Sequence, residues 1–166
     1  MKSLDDRLRL LQGDFSPETL RTLRDFLAGA TDAELFRINP LRFAEEHGMS
    51  EGEAIELFIH ATHAGIFEFS WDILCPGCGS ALKGARALRE LEDHARCAAC
   101  EIDVDVQLDD SIEVSFTVSP TVRDIRFHHP ETLDTMEEWL QLATSASRIL
   151  HPEFARLQQE HTLHSG

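Results

Sequence analysis

The sequence predicts an α+β fold: N-terminal helices with a winged helix-turn-helix, then a four-cysteine zinc-ribbon β-hairpin and C-terminal helices. Helix caps and glycine stops recur up to Gly65, and a two-residue strand period follows them. All four cysteines lie in two Cys-x2-Cys pairs. These observations divide the chain into a helical, winged-helix-like region (1–74), a zinc ribbon with β-hairpin (75–127) and a C-terminal helical segment (128–166).

Capping signals divide the N-terminal region into five short helices. A serine, threonine or asparagine before an amphipathic run accepts the free N–H groups of the first helical turn, and a glycine after the run ends the helix. Thr31 with Glu34, and Ser50 with Glu53, also have the spacing of a capping box. The predicted helices begin at Ser3, Ser16, Thr31, Asn39 and Ser50.

The last two of these helices and the segment after them predict the winged helix-turn-helix. The first, "PLRFAEEH", ends at Gly48, and the second runs to about Ala64. From Ile66 to Trp71 apolar and polar residues alternate, which is typical of a strand. Helix, tight turn, helix and strand is the order of this motif.

The four cysteines form one pattern, in which an 18-residue insert separates the pairs Cys75-x2-Cys78 and Cys97-x2-Cys100. A tight turn over two residues aims both sulfurs of a pair at one ion, and two such turns complete a tetrahedron. Four thiolates leave no open position for catalysis, so we expect one structural Zn²⁺ whose binding energy is folding energy. A thioredoxin-like redox pair would need a βαβ context, which the sequence lacks. Disulfides are not expected, because the chain shows no signal peptide. A redox switch that releases zinc stays compatible with the spacing.

Past Cys100 the alternation of apolar and acidic residues predicts a β-hairpin. Its strands are expected at 102–108 and 112–118, with Asp109-Asp110 as the turn and an acidic outer face. From about Pro130 the sequence "ETLDTMEEWLQLATSASRIL" predicts a helix that ends before Pro152.

The helix after Ser50 has an acidic and histidine-bearing face made by Glu53, Glu56, His60 and His63. A helix that reads DNA needs arginine, lysine, asparagine or glutamine here, and glutamates repel phosphates, so DNA binding by this helix is not expected. We expect the face to meet a protein partner with a basic surface. A metal site made by Glu56, His60 and His63 is the alternative.

A small basic cluster lies in the insert between the cysteine pairs. It comprises Lys83, Arg86, Arg89 and Arg96, with His94 beside them. Spacing of three predicts that the first three stack on one side of a helical turn. A solvated face balanced by nearby acids is favoured over a docking patch for an acidic partner or a phosphate, and His94 is expected at the surface rather than as a ligand.

Charge and hydropathy limit the classes of function. The formal net charge is −15, the opposite of the basic surface expected of a nucleic-acid binder. No signal peptide or membrane-length apolar run is visible, so we expect a cytoplasmic protein that does not contact membranes.

Three stretches resemble a known family: "NPLRFAEEHGMSEGEAIELFIHATHAGIFEFSWDILCPGCG", "CAACEIDVDVQLDDSIEVSF" and "SPTVRDIRF". They are similar to the winged-helix and zinc-ribbon region that precedes the catalytic domain of some bacterial class III adenylate/guanylate cyclases. The similarity covers about residues 37–127. It implies a regulatory or interaction module with zinc on the four cysteines, and it does not imply cyclase activity.

The function expected from the sequence is a non-enzymatic, zinc-binding regulatory or adaptor module that binds another protein. The chain has no phosphate loop, no free cysteine nucleophile and no serine-histidine-acid motif. Two alternatives stay open: a transcriptional regulator that contacts nucleic acid through the zinc-ribbon loop, and a thiol or zinc redox sensor.

Overall fold

The structure is a computed structural model that describes residues 3–90, 92–106 and 112–143. Within these ranges it is an α+β fold with five α-helices and small antiparallel sheets. The helices are α1 (Leu4–Arg9), α2 (Pro17–Gly29), α3 (Pro40–His47), α4 (Glu51–His63) and α5 (Met136–Ala143). The strands are β1 (Phe67–Leu74), β2 (Ala81–Ala85), β3 (His94–Cys97), β4 (Ile102–Asp105) and β5 (Ile112–Val118). Short 3-10 turns span Leu88–Glu90, Arg126–His128 and Pro130–Thr132.

The chain forms two compact units. The first contains the described residues of Met1–Ser70 together with Ser115–Leu142, and the second contains the described residues of Trp71–Val114. The second unit also contains Ala143, and the boundaries between the units fall within β1 and β5. β1 is the middle strand of a three-stranded sheet in the order β2-β1-β5, and β3 and β4 form a separate antiparallel pair.

The predicted caps are present where α2, α3 and α4 begin. The Ser16 hydroxyl accepts the backbone N–H of Thr19 at 3.0 Å, and Pro17 occupies the first helical position. At the turn between α3 and α4, Gly48 has a left-handed φ of +66°, which costs a residue with a Cβ more than it costs glycine. These signals are local, which explains why the sequence alone located them.

The prediction of a third helix after Thr31 is wrong, although the capping box of Thr31 and Glu34 forms. Thr31 and Glu34 exchange both hydrogen bonds, with the Thr31 N–H donating to the Glu34 carboxylate at 2.7 Å and the Glu34 N–H to the Thr31 hydroxyl at 3.3 Å. The segment nevertheless remains a turn. Ile38 forms an antiparallel bridge with Phe116 of β5, and this tertiary pairing takes the chain out of the helical path.

A cluster of phenylalanines forms the centre of the first unit. The ring of Phe58, on α4, stacks on Phe67 of β1 with 4.7 Å between centroids. It meets Phe43 of α3 edge-on at 5.1 Å and Phe116 of β5 at 5.3 Å. Phe58 is fully buried, so one side chain joins two helices and two strands.

The predicted hairpin of 102–108 with 112–118 is wrong in its pairing. In the described part of the chain β4 pairs with β3, and β5 pairs with β1. The predicted Asp109-Asp110 turn lies outside the described residues. Alternation also fails along β5, because Glu113 and Ser115 are buried and burial then moves to Phe116 and Val118. The alternation of apolar and polar residues correctly predicted strands in both segments, but it could not identify the strand with which each one pairs.

The predicted C-terminal helix is described only in part. Two 3-10 turns lead to α5 at Met136–Ala143, and the rest of the prediction lies outside the described residues. The Thr135 hydroxyl accepts the Glu138 N–H at 3.2 Å, which supplies the start signal of α5. In the ranges that the structure describes, no helix combines the length and apolar character that crossing a bilayer demands.

Arg123 ties the segment after β5 to the end of α2. Its guanidinium donates to the carbonyl of Ala30 at 2.8 Å and pairs with Asp32 at 2.9 Å. We expect Arg123→Met to lower the free energy of unfolding by about 1.5–3 kcal/mol, because a charged hydrogen-bond network is lost. Urea unfolding measures this change. Arg9→Met is the control, since the Arg9–Asp6 pair is exposed on one short helix and should change stability by less than about 1 kcal/mol.

Candidate metal centre

The first cysteine pair occupies the turn of the β1–β2 hairpin. The two strands pair up to Leu74 and Ala81, and the Cys75 N–H donates to the Ser80 carbonyl at 2.9 Å. The Gly79 N–H then donates to the Cys75 carbonyl at 2.7 Å. Gly79 has a φ of +67°, which lets the chain reverse directly after the second cysteine. Both thiols of the pair are therefore held by a closed turn.

The second pair repeats this arrangement between β3 and β4. Cys97 and Ile102 are register partners at the end of the pair of strands. The Cys100 N–H donates to the Cys97 sulfur at 3.4 Å. Glu101 has a φ of +57°, the same left-handed conformation as Gly79 in the equivalent position after the pair. A non-glycine residue adopts this conformation at a cost, so the turn geometry is imposed by its surroundings.

The two turns bring the four cysteine sulfurs into one cluster. All of the sulfurs lie within 4.8 Å of one another, and those of Cys78 and Cys97 are 3.6 Å apart. Cys75 and Cys97 are buried, while Cys78 and Cys100 are partly exposed. The cluster could hold one metal ion, and it uses every cysteine of the chain.

Gly77 allows the two pairs to approach each other. A Cβ at this position would lie 3.3 Å from the Cys100 sulfur and 3.5 Å from a methyl group of Ile102. The 3.3 Å separation is tighter than most contacts of a Cβ atom, so a larger residue here requires the Cys100 sulfur to shift by a few tenths of an ångström. Glycine between the first two cysteines therefore serves the cluster as well as the turn.

Hydrogen bonding within the cluster separates the pKa values of its thiols. Burial raises the pKa of Cys75. A hydrogen bond with the Cys78 side chain and, to a smaller extent, burial raise the pKa of Cys100 to about 12. Burial also raises the pKa of Cys78, but hydrogen bonds from the hydroxyl and backbone N–H of Ser80 outweigh it and bring the value to about 7. An ion that binds here must displace protons from the thiols that hold them most tightly.

Comparison with known proteins gives a family and no activity. A family model matches residues 1–165, nearly the whole chain. The chain belongs to this family of unknown function, DUF5939. No curated protein and no solved structure matches the sequence.

Two residues of the basic cluster, Arg96 and the neighbouring His94, pair with acidic side chains. The register of β3 and β4 places Arg96 opposite Asp103 and His94 opposite Asp105. The pairs are 3.0 Å and 2.8 Å apart, and all four side chains are exposed. Lys83 lies in β2 and Arg89 in a 3-10 turn, so the predicted stacking on a helical turn is wrong. The insert forms strands, in which spacing of three does not place residues on one face.

The four predicted residues on α4 have different environments. The Glu53 carboxylate accepts the Thr19 hydroxyl of α2 at 2.7 Å, so its side chain does not return to Ser50. His60 lies 3.2 Å from the Asp14 carboxylate. Glu56 and His63 are exposed and make no hydrogen bond or ion pair within the described residues. Glu53 and His60 thus join α4 to α2 and to the turn before it, and Glu56 and His63 face solvent.

The alternative metal site on α4 is not supported by this geometry. Among the residues that the structure describes, the four cysteines form the one group of histidine, cysteine or carboxylate ligands close enough to share an ion. Glu56, His60 and His63 do not form such a group.

Two large apolar side chains on α4 are exposed to solvent. Ile55 and Ile59 are 40% and 44% exposed. The buried positions are Ala54, Leu57, Phe58 and Ala61. Helical spacing of these four accounts for the full core face, which leaves Ile55 and Ile59 one turn apart beside Glu56.

Proposed function

We propose that the protein is a non-enzymatic regulatory or adaptor module in which one structural Zn²⁺ stabilises the cysteine-bearing unit and α4 binds a protein partner. The observation that carries the proposal is the cluster of four sulfurs. Four thiolates complete the tetrahedral coordination of zinc and leave no position for a substrate or a reactive water. The metal then contributes folding energy rather than chemistry.

Zinc is the ion that best fits the donor set. In a tetrahedral site with metal–sulfur distances of about 2.3 Å, the sulfurs lie about 3.8 Å apart. The 3.6 Å between Cys78 and Cys97 is close to this value, and the full cluster spans no more than 4.8 Å. Soft thiolates favour zinc over magnesium or calcium, which prefer oxygen ligands. With its two cysteine-bearing hairpins, this unit fits a zinc ribbon.

The partner surface that we propose is the exposed face of α4, defined by Ile55, Glu56, Ile59 and His63. Two exposed isoleucines one turn apart supply apolar area, and Glu56 supplies charge without an internal partner. No lysine or arginine occurs between Arg42 and Lys83, so the surrounding sequence is acidic. A partner with apolar side chains beside basic ones complements this surface.

The winged-helix interpretation gives this surface a context. α3, the left-handed turn at Gly48, α4 and β1 follow the order of a winged helix-turn-helix. In this interpretation the exposed face of α4 would be the recognition face, with glutamate and isoleucine in place of base-reading side chains. The resemblance to the region before bacterial cyclase domains supports a regulatory role that uses protein contacts, in a reducing compartment such as the cytoplasm.

The test is a double variant on the exposed face of α4. We expect Glu56→Lys with Ile59→Ser to retain the fold, because both side chains are exposed, and to weaken partner capture by about tenfold or more. Pull-downs from the source cell with quantitative mass spectrometry compare the variant with the parent. Glu45→Lys on α3 is the matched control, since it makes the same charge change at an exposed position.

Two outcomes would contradict the proposal. If the folded double variant and the Glu45→Lys control retain the same proteins as the parent, this face of α4 is not the partner surface. If the zinc-loaded protein binds duplex DNA with micromolar affinity that falls steeply with salt, the transcriptional alternative replaces the adaptor role. In the present structure two of the residues that would contact phosphates, Arg96 and His94, pair with acidic side chains instead.

A further inference from the structure

A groove in the first unit lies outside the surfaces used by the proposed function. Its volume is about 590 Å³, within the range of sites that bind small molecules. One wall comes from the end of α1 and the turn that follows it, and the other comes from α2. The groove is therefore built by α1 and α2, which are consecutive helices joined by the turn between them.

The α2 wall is a single helical face. Pro17, Leu20, Arg21 and Arg24 line the groove, and their spacing of three and four residues places them on one side of the helix. The opposite side of α2 is buried in the core through residues such as Leu23 and Leu27. The groove thus uses a face that the core leaves open.

Apolar side chains form part of the groove lining. Phe15 and Leu20 are half-buried and offer apolar surface to a ligand, while Leu8 is buried beside them. Phe15 is held in place because its ring meets the ring of His60 at 5.3 Å, nearly perpendicular. A preformed apolar surface binds an aliphatic chain without first having to order its own side chains.

The polar lining of the groove is positive, although the chain is strongly acidic. The sequence has 30 acidic and 15 basic residues, yet the lining contains two arginines and no aspartate or glutamate. Arg24 is neutralised by Asp5 at 2.5 Å. Arg21 forms no hydrogen bond or ion pair within the described residues. One guanidinium is thus available at the edge of an apolar groove, and the Gln12 amide lines the same space.

We propose that this groove binds a small aliphatic carboxylate. The hydrocarbon chain would lie against Leu8, Phe15 and Leu20, and the carboxylate would accept two parallel hydrogen bonds from Arg21. The fork of a guanidinium matches a carboxylate in this bidentate way, and the charge strengthens both bonds. The groove shares no lining residue with the cysteine cluster or with the exposed face of α4.

The test titrates the zinc-loaded full chain with sodium octanoate, sodium acetate and 1-octanol. Octanoate is expected to bind with a dissociation constant of about 1 mM or lower, and more tightly than acetate or octanol, since it alone combines chain and charge. NMR spectra follow the titration. The ring signals of His60 should shift, because this ring contacts Phe15. Arg21→Gln should weaken octanoate binding about tenfold, and Arg21→Lys by less.

Arg89→Gln is the matched control. Arg89 is also exposed and unpaired among the described residues, but it belongs to the second unit and is not one of the residues that line the groove. Thermal melting checks that each variant is folded, and Arg21→Lys serves if Arg21→Gln is not. Equal binding of octanoate and octanol, equal losses from Arg21→Gln and Arg89→Gln, or no octanoate binding up to about 10 mM would each overturn the proposal.

Discussion

Cys97→Ser is expected to abolish metal binding and to unfold the cysteine-bearing unit. Cys97 is 1% exposed and its sulfur lies 3.6 Å from that of Cys78, so serine cannot supply the same donor. Among the described residues of this unit few apolar side chains are fully buried, chiefly Ile73 and Val104. Such a small core cannot offset the chain entropy alone, whereas a structural zinc contributes about 10 kcal/mol or more to folding.

The measurements are elemental analysis and backbone NMR of the purified variant. The parent should carry about one zinc per chain, and Cys97→Ser or chelator-treated parent should lose the dispersed signals of β2, β3 and β4. Arg96→Ser is the control, since Arg96 is exposed on the same strand as Cys97 and pairs with Asp103 at the surface. A folded, zinc-free parent would show that the cluster is not a structural metal site.

Acidification is expected to release the metal. The pKa values of Cys75 and Cys100 are raised, the latter to about 12, so at neutral pH these thiols hold protons whenever the metal is absent. Binding must expel those protons, and the affinity therefore falls as the pH falls. The dependence should steepen below about pH 7, where Cys78, with a pKa of about 7, also becomes protonated. Zinc competition titrations at several pH values measure this slope.

The clustering of the four cysteines was the part of the candidate site most fully predictable from the sequence. Cysteine spacing predicts two tight turns and one shared ion, because two intervening residues fix the reach of the chain. The sequence could not show that each turn closes a separate hairpin, since strand pairing depends on the whole fold. Alternation assigned β4 to β5, and tertiary structure pairs β4 with β3. The left-handed backbone conformation of Glu101 could not be predicted either, because glutamate has no preference for that conformation.

Helix starts were predictable for a physical reason, and helix contacts were not. A cap such as Ser50 acts within three residues, so it can be identified from the sequence. The carboxylate of Glu53 could accept a hydrogen bond either from the backbone N–H of its own cap residue or from a donor on another helix. Only the fold brings the Thr19 hydroxyl within 2.7 Å of it. For the same reason the groove beside α2 had no signature in the sequence, because its walls become adjacent only when α1 and α2 pack.

Phe58→Ala is expected to destabilise the first unit by about 3–5 kcal/mol. The ring is fully buried and contacts Phe43, Phe67 and Phe116, so its removal leaves a cavity bordered by two helices and two strands. Neighbouring elements that are fixed by their own caps and ladders can close such a cavity only in part. A loss of this size is a large share of the roughly 5–15 kcal/mol that holds a typical domain folded.

Urea unfolding of the zinc-loaded protein, followed by circular dichroism, measures this loss. Ile59→Ala on the same helix is the control, because Ile59 is 44% exposed and its removal leaves no enclosed cavity. We expect it to change the free energy of unfolding by less than about 1 kcal/mol. Phe58→Leu should fall between the two, since leucine refills part of the space. If Phe58→Ala and Ile59→Ala had similar effects, Phe58 would not be the residue that joins α3, α4, β1 and β5, and the packing described for this unit would be wrong.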